Sequence, residues 1–522
     1  MMMRLMLTLG AAWALNSAAG QRPTVVAMVP TGTSEELKPL GLLLAARASS
    51  LLDQVSELHL KQTLRALREE GVDVDVAVPP ASLRQLLGVD RVVTFRVTHQ
   101  GASLFLELTT SDGAPATSAK VVLGNSWSEA IERGGPALAR ATLGRAPRKT
   151  LAQPTSKSDE ALKALGRCYG VVLLQPLEVD APSLLDSAAL EGAMEECRAA
   201  LSFDPSLSFA AATLALAQAT LQADADAAQT LATLSALGAG DDEGLFPMGI
   251  ARFWLLTRYQ SNEAGVAFLT DVVAHRPGAL LARAYLGDTL LSAGSADRAE
   301  AVWRAYLTRA PASAWAWGRL SRALAREGRT RDATQAARRG LELSPKSREA
   351  RLELGLRLVD LGQPALAKDQ LRPLAERKPA RGEDLLNLGV VALKLGQGDL
   401  AASSFERALD AASSDAEWRT RAHAFYGLAL VEAKRGRLDA ARVALRASQR
   451  TGLRMRAIDP LLAETSREIE RSDLGPMMDA GRTAHPDTSP REASLFPLDR
   501  FGEPDPTAPK PPPPEGLAFY RF

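Results

Sequence analysis

The feature that most limits how this chain can fold is a 34-residue period in its second half. The stretch "LGDTLLSAGSADRAEAVWRAYLTRAP", Leu286 to Pro311, reads as two short amphipathic helices joined at Gly294 and stopped by a proline that cannot continue a helix. Leu286, Gly287 and Leu290 lie on its first helix, and Ala299, Trp303 and Tyr306 recur one turn apart on the second. The small pair Gly287 and Ala299 lets the two backbones approach, and Trp303 and Tyr306 present bulk to whatever follows. Such a pair leaves one apolar side uncovered and needs neighbours.

A shift by one period carries Leu286, Gly287, Gly294, Ala299 and Pro311 onto Leu320, Ser321, Gly328, Ala333 and Pro345. The next shift gives Leu354, Gly355, Gly362, Ala367 and Pro379, and a third gives Leu388, Gly389, Gly396 and Ala401, with Phe405 in the place of Trp303. After a short insertion at "SSDAEWRT" the register resumes with Leu428, Ala429, Gly436 and Ala441. Towards the amino terminus "AMEECRAALSFDP", "SFAAATLALAQATLQADADAAQTLATL" and "FPMGIARFWLLTRYQSNEAGVAFLTDVVAHRP" supply degenerate units. Period and anchors together resemble the tetratricopeptide repeat family. The resemblance implies an all-α solenoid of about seven repeats over residues 158–456, wound as a right-handed superhelix. Residues 457–474, "DPLLAETSREIERSD" among them, are expected to form a capping helix over the last apolar side.

Ahead of the array, residues 22–148 read as an α+β domain, with residues 149–157 as a linker. "TVVAMVP" is a short apolar run with the look of a buried strand. A long helical stretch follows, in which "ELHLKQTLRALREEG" places Leu60, Leu64 and Leu67 at helical spacing and stops at Gly71. "VDVDVAVP" alternates as a half-buried strand, "ASLRQLLG" is a short helix, and two strands turn at Gln100 and Gly101 before a further strand, "SAKVVLG", and a closing helix from about Ser128. The phrase "LGVDRVVTFRVTHQGASLFLELTTSDGAPA", with Asp112 and Gly113 at its last turn, resembles the TolB amino-terminal-like domain. That resemblance implies a small interaction module with no catalytic residues to carry over.

The segment 1–20 has the three-part layout of a secretory signal: Arg4, an apolar run from Leu5 to Leu15, then the small residues Ser17, Ala18, Ala19 and Gly20. No later stretch has the length of about 20 apolar residues that a membrane span needs. The mature protein is therefore expected in the periplasm, with any membrane association running through its partners. Residues 475–522 are proline-rich and read as a disordered tail; its aromatic end, Phe519, Tyr520 and Phe522, is either a docking motif or a frayed terminus.

Function is expected in binding, not chemistry. The 62 Lys and Arg balance 61 Asp and Glu, so no basic field points to nucleic acid. His59, His99, His275, His423 and His485 are scattered with no zinc spacing, so neither a metal nor a cofactor is expected. "GNSWS" lacks the second glycine of a nucleophile elbow, and "GAGDDEG" follows a helix and is one residue too long for a dinucleotide fingerprint. The two cysteines, Cys168 and Cys197, could bridge across one helical pair in an oxidising compartment or serve as small buried residues.

The repeat resemblance implies a groove lined by the first helix of each unit, at positions beside the Leu-Gly anchor. Those positions are Tyr285, Asp288, Arg319, Arg322, Arg326, Asn387, Lys394, Tyr426 and Lys434. Arg319, Arg322 and Arg326 share one helical face and would suit an acidic segment or a free carboxyl terminus. The alternative is a solvated face balanced by Glu349, Glu353 and Asp360. The expected role is an exported scaffold that binds peptides or partner proteins in assembling a cell-envelope complex. A structural subunit of a secretion, pilus or motility machine is one alternative, and an enzyme with a cryptic site in the amino-terminal domain is another.

Overall fold

Strand β1 (Val25–Pro30) is buried at all six positions, as expected of an unbroken apolar run covered on both faces. In the computed structural model, which describes residues 24–448 except 53–54, 75–77, 149–155, 176–185, 237–244, 413–417, 438–439, 442 and 445–446, β1 sits inside a five-stranded sheet. It pairs in parallel with β2 (Ser56–Leu58) on one side and β3 (Arg91–Gln100) on the other. β4 (Ser103–Ser111) and β5 (Thr117–Gly124) extend the sheet antiparallel, giving the order β2-β1-β3-β4-β5. The β3–β4 turn contains Gly101 in the left-handed region, φ 62°, where a side chain would be strained.

One strand differs from expectation. "VDVDVAVP" alternates, yet residues 72–74 and 78–79 carry no strand, and 75–77 lie outside the described residues. The second parallel strand is Ser56–Leu58, inside the stretch that reads as helix. It stops there because the His59 side chain caps the helix that follows, accepting from the Lys61 amide at 3.2 Å. Three residues are too few to show a period of two.

Helices α1 (Lys38–Ser49), α2 (Leu60–Glu69), α3 (Pro80–Leu87) and α4 (Trp127–Leu143) cover the sheet. Ser126 of "GNSWS" caps α4 by accepting from the Glu129 amide, so the motif is a helix start. The signal layout at residues 1–20, "GAGDDEG", the carboxy-terminal helix and the tail lie outside the described residues.

The helices that follow come in antiparallel pairs: α5 (Asp159–Leu174) with α6 (Ser187–Phe203), α7 (Ser208–Thr220) with α8 (Asp224–Ala236), and α9 (Ile250–Tyr259) with α10 (Asn262–His275). Next come α11 (Leu280–Ser292) with α12 (Ala296–Arg309), and α13 (Ala314–Arg326) with α14 (Thr330–Leu343). Then α15 (Arg348–Asp360) pairs with α16 (Pro364–Ala375), α17 (Gly382–Lys394) pairs with α18 (Gly398–Ala411), and α19 (Trp418–Lys434) follows. Gly294, Gly328, Gly362 and Gly396, one period apart, adopt φ of 78°, 76°, 76° and 71° and turn each first helix into its second. The same closing bond recurs at each, from Ser295 N to Leu290 O, Arg329 N to Leu324 O, Gln363 N to Leu358 O and Gln397 N to Ala392 O.

Cys168 on α5 and Cys197 on α6 are joined in a disulfide, and both are fully buried. Among the described residues no helix is long and apolar enough to cross a membrane.

Candidate interaction groove

On α11, α13, α15 and α17 several polar residues lock into one another instead of facing solvent. Asp288 on α11 pairs with Arg319 on α13 at 3.3 Å. Arg322 on α13 pairs with Glu353 on α15 at 2.9 Å, and the Ser321 hydroxyl donates to the same carboxylate at 3.0 Å. Arg357 adds a third contact to Glu353, and Arg348 reaches Glu383 at 3.0 Å and Asp384 at 2.8 Å on α17. Arg326 donates to the Leu291 carbonyl. Arg319 and Arg326 therefore find their partners on the preceding unit and Arg322 on the following one. Of the proposed balancing carboxylates, Glu353 pairs with Arg322 and Arg357, Asp360 pairs with Arg357, and Glu349 lies 3.7 Å from Arg348.

The remaining expected groove positions are distributed unevenly. Tyr285 is buried and packs edge-on against Phe253 and Trp254, and burial raises its phenol above the usual range. Asn387 is 2% exposed and donates to the Glu383 carbonyl at 2.9 Å, and Tyr426 is fully buried. Lys394 is half-buried and Lys434 is exposed. A contiguous open stripe through all nine positions is not what the fold makes.

What lies against the repeat array is the chain's own amino-terminal module. The first turns of α11, α13 and α15 sit one repeat apart, and β2 and α2 run along them. Glu57 bridges in parallel to Ala279, so β2 does not end the sheet as an open edge. The His59 ring packs 5.3 Å from Phe246, just before α9. The Lys61 ammonium donates to the carbonyls of Leu173, at 2.9 Å, and Gln175, at the end of α5. Gln62 serves both bodies: its Oε1 accepts from the His59 amide at 3.2 Å and its Nε2 donates to the Tyr306 hydroxyl at 3.1 Å. Arg65 and Arg319 lie 5.3 and 5.4 Å from the centre of the Trp315 ring, so one indole receives a cation from each side of the seam. At the far end Glu69 accepts from Ser347 at 3.2 Å and Glu70 from Ser344.

Burial strains the charges in this seam. Desolvation raises the Glu57 carboxyl to about 7, opposed by the Ser49 hydroxyl that donates to it. Desolvation, helped by the Lys61 charge, lowers His59 to about 3, in keeping with an Nδ1 that accepts a hydrogen bond. Desolvation, with Arg65 and Arg68 nearby, lowers Lys61 to about 7. Among the described residues no group of three His, Cys, Asp or Glu side chains is placed to hold a metal.

One signal in the sequence points to the paired charges, and none points to the seam. Asp288 to Arg319 and Arg322 to Glu353 are separated alike, by one repeat less one helical i,i+3 step. In α2, Lys61, Gln62 and Thr63 are as buried as Leu60 and Leu67. Amphipathic periodicity assigns that polar face to water, and so misses the seam.

Residues 286–348 and 352–416 match the tetratricopeptide repeat family model, and the chain carries tetratricopeptide repeats there. Among solved structures, a tetratricopeptide repeat protein from Parabacteroides merdae is similar at 12% identity over 60% of this chain and 99% of its own, TM-score 0.34. YrrB, described as a TPR protein with an unusual peptide-binding site, is 18% identical over 38% of this chain and 97% of its own, TM-score 0.29. MamA is 19% identical over 32% of this chain and 94% of its own, TM-score 0.28. Comparison with curated proteins gives no match.

Proposed function

We propose that this chain is an exported, non-catalytic protein-interaction scaffold in which a right-handed repeat superhelix takes peptides or helices of partner proteins during assembly of a cell-envelope complex. The observation that carries the reading is the row of first-helix starts of α11, α13 and α15, one repeat apart, along which β2 and α2 already lie. A surface that seats one helix through hydrogen bonds, a cation over an indole and hydroxyl–carboxylate contacts is built for protein. The TolB amino-terminal-like reading of the sheet module fits the same role. Export agrees with the disulfide between the chain's two cysteines, which suits an oxidising compartment.

An acidic partner segment would have to exchange with Asp288 and Glu353 for the arginines, so its capture would weaken steeply with salt. The test is cross-linking of the full chain in the intact envelope, followed by identification of what is held. Recovery of one or two proteins is expected. Several proteins in fixed stoichiometry would mark a subunit of a machine, and an empty cross-link profile would defeat the scaffold reading.

A further inference from the structure

Helix α2 buries its polar face, not only its apolar one, and the polar face is what meets the repeats. Lys61, Gln62, Arg65 and Glu69 recur at one, three and four residues, and they reach α5, α12, α13 and the turn before α15 in that order. A permanent interface of this kind is ordinarily apolar, because desolvating an ammonium or a carboxylate costs several kcal/mol in order of magnitude. Here the hydrogen bonds made by the polar face are directional and can be taken over by water or by the same groups on another chain, while Leu60 and Leu67 on the opposite side pack into the apolar core. The ten residues of α2 span roughly 15 Å at the standard helical rise, and from Gln62 to Glu69 the helix crosses the three successive units of α12, α13 and α15 as a bound peptide would.

From this we propose that α2 is an intramolecular occupant of the repeat array, and that the partner this surface takes is an amphipathic helix with the α2 pattern, which displaces it. The pattern is a cation followed by an amide, a second cation four residues after the first, and a carboxylate one turn further on. The inference rests on the scaffold reading above and adds to it the chemistry of the ligand and a closed resting state. While tethered, α2 acts at an effective concentration near millimolar, so a partner helix of equal intrinsic affinity competes poorly until the tether contact is weakened.

The test uses the full chain and a fluorescent synthetic peptide of residues 56–71, "SELHLKQTLRALREEG". The double variant Lys61→Glu, Arg65→Glu places carboxylates against the Leu173 and Gln175 carbonyls and the Trp315 face, ejecting α2 while every residue of the repeats is kept. The peptide is expected to bind this variant at least tenfold more tightly than the wild type; equal binding, or none, overturns the proposal. Hydrogen exchange on the wild type decides the matter even where the variant fails to fold. The α2 amides should exchange at least tenfold faster than those of β3 and β4, and faster still with saturating peptide, whereas exchange matched to the sheet and unmoved by peptide overturns it. A partner captured by cross-linking with no change in α2 exchange would sink this inference and leave the scaffold reading intact.

Discussion

Gly287 has no side chain because Trp303 occupies the space one would take. A Cβ there would lie 2.5 Å from the indole, whose ring is fully buried and cannot retreat. Gly287→Ala should therefore cost about 1–3 kcal/mol by overpacking, measurable as a lower midpoint in urea. Gly294→Ala meets nothing within 4 Å and should cost about 1 kcal/mol from its φ of 78° alone. The repeat spacing made both positions legible, Gly287 as a close approach and Gly294 as the joint between the helices, but not that an indole is what crowds Gly287. The bulk that Trp303 turns to the next unit meets Trp315 there, ring centres 5.2 Å apart, while the same ring also fills the space beside Gly287 in its own unit. The arginine stripe was legible, and so was Glu353 as its counter-charge on the next unit; the burial of these pairs between units was not, because it exists only once the units stack. At the seam, Gln62→Ala removes a partner of the Tyr306 hydroxyl and one half of the α2 cap together. A loss of about 1–3 kcal/mol is expected, with faster exchange confined to α2 and its contacts; a loss spread evenly over the chain would contradict that dual role.

At the scale of elements, what reads from sequence is whatever repeats or alternates over many residues. The helix pairs do, and so do β3 and β4, because a run of nine or ten residues with a buried face is long enough to carry its period. β2 does not, since three residues next to a helix cap take the helix's pattern as their own. What fixes β2 is tertiary: Ala279 pairs with it, and Gly278 lies so near that a Cβ would stand 2.0 Å from the Val55 carbonyl oxygen. Elsewhere, the α5–α6 pair is degenerate in its repeat anchors and is held by the disulfide across 29 residues. By loop entropy that bridge is worth about 3.5 kcal/mol. Cys197→Ala should lower stability by that order, and reductant should bring the wild type to the variant's level while leaving the variant unmoved. A wild type indifferent to reductant would mean that packing alone holds the pair.

Across the whole molecule the apolar core does not divide where the sequence changes character. One core runs from β1 and α1 through the repeats to Ala336, and a second takes over from Ala337 to Ala441, so the break falls within α14, well past the end of the sheet module. The sheet module and the first repeats should therefore unfold together, and the ionisable groups caught between them report on that event. In the unfolded chain Lys61 holds its proton up to the ordinary value of 10.5, whereas burial brings it to about 7 in the fold, against the two carbonyls it donates to. Between those values the folded state binds fewer protons, so stability should rise as pH climbs from 7 towards 9, by at most about 1.4 kcal/mol per unit. Glu57 runs the other way: its contribution is full below 4.5 and is lost as pH rises through about 7. His59 contributes above 6.5 and loses that as pH falls towards about 3, so the two slopes oppose each other between 4.5 and 6.5. Buried Tyr169 and Tyr306, both raised, come into play only above the window. Lys61→Met keeps the side chain's length against Phe246 and abolishes its titration. The urea midpoint should climb from pH 8 to pH 9 in the wild type and stay level in the variant, because the substitution, whatever it costs in the two lost donations to Leu173 and Gln175, leaves no titrating ammonium in the seam.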